Sequence, residues 1–252
     1  MKDTLDRQAV RSKYNERPSP PTNDPWHEYT AREIDRLLQH EFAVRPPNLH
    51  DVLVLVGSGG RTHDIVHKRT MHVDVADRLL VGLDRGVVGD AQSLPLAAAS
   101  TRAVVCVGSV INYCDAAAVI SEAARILKPG GRYILDVESS DSFEFLHTRT
   151  FRKDIDLILT FVNGDREHVW VYSRSYIHRL LRSAGFRVEC IVPIHIASSL
   201  RLRFSSDPVR ASRWSVWDKP LRFLPFVRAL ACNLVFFCTK SGTTSRIAPK
   251  SR

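Results

Sequence analysis

Residues 52–60 read Val-Leu-Val-Leu-Val-Gly-Ser-Gly-Gly, and this stretch limits the fold more than any other. Apolar runs of this length suit a strand buried on both faces of a parallel sheet. Glycines directly behind such a strand let the backbone approach a ligand closely, with no Cβ in the way. Downstream, Met71-His72-Val73-Asp74 is a short apolar stretch ending in a carboxylate. In nucleotide-binding α/β folds an acid at that place accepts hydrogen bonds from a ribose. The two pieces together predict an adenosine-containing cofactor. The dinucleotide pattern G-x-G-x-x-G/A is incomplete, because Gly57 and Gly59 fill two places and Thr62 takes the last. No Gly-Lys-Ser/Thr follows, so the phosphate-binding P-loop is missing too. A cofactor without a pyrophosphate fits better.

At 252 residues the chain suits one α/β domain with a large core. No apolar stretch reaches the roughly 18 residues of a membrane span. The charged start, Met1-Lys2-Asp3-Thr4-Leu5-Asp6, has no apolar signal core, so the expectation is a cytoplasmic protein. Five cysteines without a C-x-x-C pair argue against a disulfide framework and a zinc site, and no metal is expected. The net charge of +9 permits nucleic acid, an anionic membrane or an acidic substrate as partner. No zinc-finger, RNP or helix-turn-helix pattern accompanies it, so sequence-specific nucleic-acid binding is not expected.

Residues 1–30 are polar and hold Pro18, Pro20, Pro21 and Pro25, which predicts an extended arm. Ile34, Leu37, Leu38 and Phe42 fall at helical spacing and predict a helix over 30–42, stopped by Pro46-Pro47. Strands are expected at about 51–56, 71–75, 86–88, 103–108, 133–137, 186–192 and 233–238. Residues 61–70 leave room for a short helix. A helix over 115–127 has Asp115 as its N-cap, and another spans 175–184 before Gly185. Residues 138–170 look irregular, and 241–252 are expected to form a disordered tail.

Further pieces follow in order. Gly89-Asp90-Ala91-Gln92-Ser93-Leu94-Pro95 precedes the strand ending Cys106-Val107-Gly108-Ser109, and Leu127-Lys128-Pro129-Gly130-Gly131 closes the next helix. This series resembles the class I S-adenosylmethionine-dependent methyltransferases, particularly the small-molecule group that includes quinone-biosynthesis enzymes. The resemblance covers about 50–137 and resumes at about 173–192 and 231–240. It implies a Rossmann-like three-layer α/β sandwich: a mostly parallel seven-stranded sheet with an antiparallel last strand. The methyltransferase domain would span 31–240, with 193–230 as an insertion and potential lid.

By the same resemblance, Gly57, Ser58, Gly59 and Gly60 would meet the amino-acid part of S-adenosyl-L-methionine. Asp74 would bind the ribose, with Asp77 as a rival. Asp90 and Ala91 would recognise adenine, although an aspartate there also suits a turn cap. Gly108 and Ser109 would lie beneath the transferable methyl. Two departures stand out: Leu55 replaces an acid usual in the family, and Arg61 replaces a third glycine. Asn112 and Tyr113 stand where relatives often carry Glu-His or His-His, so they are candidates for the acceptor side, as are His147 and His168. None is a clear general base, and in-line methyl transfer can draw much of its catalysis from alignment.

The insertion interleaves Arg201, Arg203, Arg210, Arg213, Lys219, Arg222 and Arg228 with Trp214, Trp217, Phe223 and Phe226. That pattern suits an anionic membrane surface or an anionic, partly apolar substrate. It also suits two covering helices whose aromatics are core. The expectation is methyl transfer to a small-molecule acceptor, an oxygen on a sugar, lipid-linked or secondary-metabolite scaffold. The alternatives are an RNA or protein methyltransferase and a catalytically inactive cofactor-binding scaffold.

Overall fold

The apolar run becomes β1 (Leu53–Val56), buried at all four positions. The computed structural model of the protein describes residues 7–16, 24–65, 67–162, 165–205 and 207–242. β2 (Thr70–Asp74), β3 (Gly86–Val88), β4 (Thr101–Cys106) and β5 (Leu127–Glu138) run parallel to β1. β6 (Ile155–Val162) and β7 (Asp165–Tyr172) form a separate antiparallel ribbon. β8 (Phe186–Ile194) and β9 (Asn233–Lys240) complete the main sheet, whose order is β3-β2-β1-β4-β5-β9-β8. β9 is antiparallel to both neighbours, as the family resemblance implied.

Side chains alternate across the sheet, so each strand feeds two cores. Val54, Val56, Val104, Cys106 and Leu135 share one core with Val119, Ile120 and Ala123 of α3 (Ala116–Ile126) and Ile177 and Leu181 of α4 (Arg174–Ser183). Leu53, Leu55, Val105 and Ile134 face the other way, onto Ile34, Leu38 and Phe42 of α2 (Pro25–Val44). A strand sealed on both faces has no solvent side, which is why β1 reads as an unbroken apolar run. Leu55, in the place of the family's acid, is 1% exposed and sits in this second core.

Helix starts are fixed by caps. Asp115 accepts from the amides of Ala117 and Ala118 to begin α3, as expected. α2 begins five residues before the predicted Thr30, because Asp24 caps Trp26 and His27, and Pro25 takes the first turn. The arm is not wholly extended, since residues 7–16 form α1 (Arg7–Glu16). Among the described residues of 61–70, the expected short helix does not form. His63 and Asp64 take positive φ, and Asp35 of α2 holds both Arg61 and His63 at 2.7 Å, pulling the chain off a helical path. Residues 138–170 are more regular than expected, for they carry the β6–β7 ribbon.

The insertion folds into short helices: α5 (Ala197–Ser205), α6 (Pro208–Ser212), α7 (Asp218–Leu221) and α8 (Pro225–Arg228), with a 3₁₀ turn at Arg213–Trp217. Its inner face is anchored by buried polar and aromatic contacts. Trp26 stacks on His195 at 3.7 Å. The imidazole of His195 bonds Thr30 and Ser198 at 2.8 and 2.7 Å. Burial drives its pKa down to about 3, so the ring is neutral. The Asp218 carboxylate accepts from the amides of His195, Ile196 and Ala197 and from the Tyr29 hydroxyl. The expected tail from 243 onward lies outside the described residues.

Candidate cofactor and acceptor site

The carboxyl ends of β1, β2 and β4 converge on the glycine turn. Gly57, Gly59 and Gly60 all have positive φ, which only glycine adopts cheaply. A Cβ at Gly57 would lie 2.3 Å from a methyl of Val110, so the β4 loop packs directly against the turn. The buried Ser58 hydroxyl accepts from the Gly60 amide and meets His72 at 3.1 Å.

Asp74 stands at the end of β2 as predicted. One carboxylate oxygen accepts from the Gly59 amide at 2.8 Å and the other from Ala76 at 2.9 Å. The acid therefore shapes the glycine turn, and its remaining lone pairs are free in number to accept from a ribose. Asp77, the rival, points elsewhere, bonded to Arg11 and Asn15 of α1 at 3.0 and 2.9 Å.

Asp90 accepts from the Gln92 amide at 2.8 Å, so it caps its own turn, while Ala91 is buried against the core. Gly108 has φ +82, and a Cβ there would meet nothing within 4 Å. Ser109 follows in the left-handed region at φ +60. A glycine turn free of Cβ atoms at 57, 59 and 60, acids at or just beyond the ends of β2 and β3, and open space over Gly108 fit an adenosine linked to an amino acid.

The acceptor-side candidates separate. Asn112 is fully buried and bridges strands, donating to Trp170 O at 2.6 Å and accepting from the Glu138 amide at 3.1 Å. It is a structural tie. Tyr113 donates to Glu167 at 2.7 Å, and the ammonium of Lys13 from α1 pairs with the same carboxylate. Burial, with Tyr14 and Glu167 nearby, holds the Tyr113 phenol far above its usual range, so it stays protonated. His147 is exposed beyond β5 at φ +63, and His168 is exposed on β7. Neither joins the strand-end cluster. α1 is thus fixed at Asp77 beyond β2 and at Tyr113–Glu167 beyond β4, and bridges the end of β1 between them.

The structure adds acids that the sequence reading passed over. Asp136 and Glu138 lie two apart on β5, hence on one face. Asp136 is 0% exposed. Its Oδ2 accepts from the Ser109 amide at 3.0 Å, and its Oδ1 is buried with no hydrogen-bond partner among the described residues. Burial pushes its pKa up to about 7 against the pull of the Ser109 amide, and Glu138 adds repulsion. Burial also raises Glu138, and takes Glu144 to about 7. The available signal was two carboxylates at strand spacing inside an otherwise apolar run.

Residues 55–135 match the family model described as a methyltransferase domain. Over 66 residues the chain is 41% identical to the ubiquinone/menaquinone biosynthesis C-methyltransferase UbiE of Caulobacter vibrioides, covering 23% of this chain and 26% of that protein. The chain therefore matches only about a quarter of the length of that relative. Its fold is similar to geranyl diphosphate C-methyltransferase from Streptomyces coelicolor, with TM-score 0.55, 14% identity, and coverage of 93% and 98% of the two chains. It is equally similar to a Burkholderia thailandensis 1,6-didemethyltoxoflavin-N1-methyltransferase, with TM-score 0.55, 16% identity, and coverage of 94% and 87%. Both structures hold S-adenosylhomocysteine. Residues 55–135 thus form a methyltransferase domain, seated in a sheet of this order and closed by this glycine turn, and the whole chain is similar in fold to S-adenosylmethionine-dependent methyltransferases.

Proposed function

We propose that the protein transfers a methyl group from S-adenosylmethionine to a hydroxyl-bearing small molecule, with oxygen as the methylated atom. When bound, the cofactor supplies an electrophilic methyl on a sulfonium. Gly57–Gly60 and Gly108 would hold its amino-acid part, Asp74 its ribose, and Asp90 with Ala91 its adenine. The Asp136 carboxylate carries the acceptor reading: a fully buried acid beside Ser109, with one oxygen unpartnered. A hydroxyl must lose its proton as it becomes an ether, and a carboxylate with a pKa near working pH is suited to take it. Asn112 and Tyr113 support the acceptor side from behind, one tying β5 to β7 and the other tying the turn after β4 to β7.

A second reading places the methyl on carbon. The identity to a C-methyltransferase favours it, and the same proton acceptor would ionise a hydroxyl that activates the carbon. The membrane part of the proposal is that the acceptor is lipid-linked and is met at an anionic membrane surface. Calorimetry with S-adenosylhomocysteine tests cofactor binding, with micromolar affinity expected, about −8 kcal/mol. Failure to bind it would remove the enzymatic reading. Methyl transfer to a panel of phenols, sugars and polyprenyl compounds, followed by mass spectrometry of the product, separates oxygen from carbon.

A further inference from the structure

The strongest anomaly outside the site is the outer face of the α5–α8 cap. Phe204, Phe223 and Phe226 are 77%, 86% and 87% exposed, and Trp217 is 60% exposed. Val209, Trp214, Val216 and Leu224 join them as exposed apolar residues. The expectation that these aromatics form a core is overturned for the outer face. The inner face uses Trp26, Ala211 and Cys232 instead. Trp214 and Trp217 are three residues apart in a 3₁₀ turn, where such residues eclipse, so they share a side. Eight large apolar side chains exposed within 23 residues exceed the scattered singles of an ordinary surface.

The charge around them has one sign. Residues 193–230 hold seven arginines and lysines and two aspartates. Asp218 is buried under the amides it caps, and Asp207 caps α6 while pairing with Arg210. What reaches solvent is therefore cationic. A cavity of about 650 Å³ continues this character where α8 ends, at Ala229 and Leu230. Arg152, Arg174, His178 and Arg179 line it, with Asp141 as its acid. It shares no residue with the glycine turn. Arg222 is neutralised by Glu33 of α2 and Arg210 by Asp207, and an aromatic and aliphatic surface that also carries Arg201, Arg213, Lys219 and Arg228 complements an interface that is apolar beneath and anionic on top, which is an acidic lipid bilayer. A soluble protein partner would need no such excess of one sign beside so much aromatic surface.

We infer that the α5–α8 cap is a docking surface for anionic lipid bilayers, with Phe204, Trp217, Phe223 and Phe226 entering the headgroup boundary and Arg201, Arg213, Lys219 and Arg228 meeting lipid phosphates. This rests on the membrane part of the proposed function and not on its chemistry. The cap joins the site through the 3₁₀ turn Phe143–Phe145, which packs on α5 and follows the strand carrying Asp136 and Glu138. Docking therefore sets the acceptor side of the sheet near the bilayer.

The test is co-sedimentation of the full chain with vesicles of phosphatidylcholine alone or with 30% phosphatidylglycerol. Binding should be strong only with the anionic lipid, and should fall at least about tenfold when ionic strength rises from ~0.1 to ~0.5 M. F223S/F226S should lower binding about tenfold or more, since each loses an apolar anchor. R213E/R228E should abolish the preference for anionic lipid. Melting temperature and S-adenosylhomocysteine affinity should stay unchanged in both, which reports on folding and on the cofactor site separately. Vesicle binding by a protein that fails to bind S-adenosylhomocysteine would sink the methyltransferase reading and leave docking intact. Equal binding to both vesicles, no binding, or binding untouched by the substitutions overturns the inference. So does a dimer in light scattering that F223S/F226S dissolves while vesicle binding is absent.

Discussion

Replacing Asp136 by asparagine isolates one buried charge. Burial raises this carboxyl to about 7 from an ordinary value of 3.8. In the unfolded chain it ionises near 3.8, so between pH 4 and 7 the native state holds a proton that the unfolded state has lost. Stability from this group is fully present below pH 3.8 and drains away as pH rises through about 7. Three pKa units at about 1.4 kcal/mol each give a loss of about 4 kcal/mol. Asparagine has nearly the same shape, and its Oδ1 can still accept from the Ser109 amide. It cannot ionise. Urea unfolding of both proteins at pH 5 and pH 8 is the assay. The variant should gain about 2–4 kcal/mol on the wild type between these pH values, a range that includes relief of the repulsion between Asp136 and Glu138. The same substitution should flatten the rise of methyl-transfer rate with pH near 7. A stability difference that stays constant with pH would refute the raised pKa, and with it the case for Asp136 as proton acceptor.

Gly57→Ala should cost about 2–4 kcal/mol in thermal unfolding, from the positive φ and the Val110 contact together. Adding Val110→Ala should return the steric part only, which a double-mutant cycle reads. Asp74→Ala should weaken S-adenosylhomocysteine binding in calorimetry by about 2 kcal/mol through loss of the turn's charged hydrogen bonds. Asp77→Ala should leave that affinity nearly unchanged while making residues 7–16 more open to limited proteolysis. Trp26→Ala should destabilise the fold by about 3–5 kcal/mol, whereas the exposed Trp217→Ala should change it by less than about 0.5 kcal/mol, both by chemical denaturation.

The parts of this protein legible in its sequence are those whose cause is local. β1 and its glycine turn, the β3 boundaries and the Asp115 cap all follow from residues adjacent in the chain. The features missed have partners far away. α1 is a short polar helix held by Asp77 and Glu167, more than sixty residues downstream. Too short to persist by propensity alone, it leaves no trace in a periodicity reading. The β6–β7 ribbon is stabilised by cross-strand pairing, which a single strand cannot announce. Asp136 escaped for another reason. Hydrophobic patterning looks for apolar residues in strands, and a buried carboxylate registers as an interruption of the pattern. The insertion's composition read equally as core or surface, and only burial could separate them.

The place of β9 has a consequence for how the chain is made. β5 pairs with β9 from Arg132 to Glu138, and β8 pairs with the other side of β9, so β9 is an interior strand supplied last. On the ribosome β5 is finished roughly 95 residues before Asn233 is added, which is roughly 5–20 s at typical synthesis rates. Throughout that interval one edge of β5, with the apolar stretch Tyr133-Ile134-Leu135 at its centre, has no hydrogen-bonding neighbour. β8 emerges within it but cannot fill the gap, because its place is one strand further out. The nascent protein thus carries an open, sticky sheet edge until its final strand arrives, a window in which chaperones or self-association compete for β5.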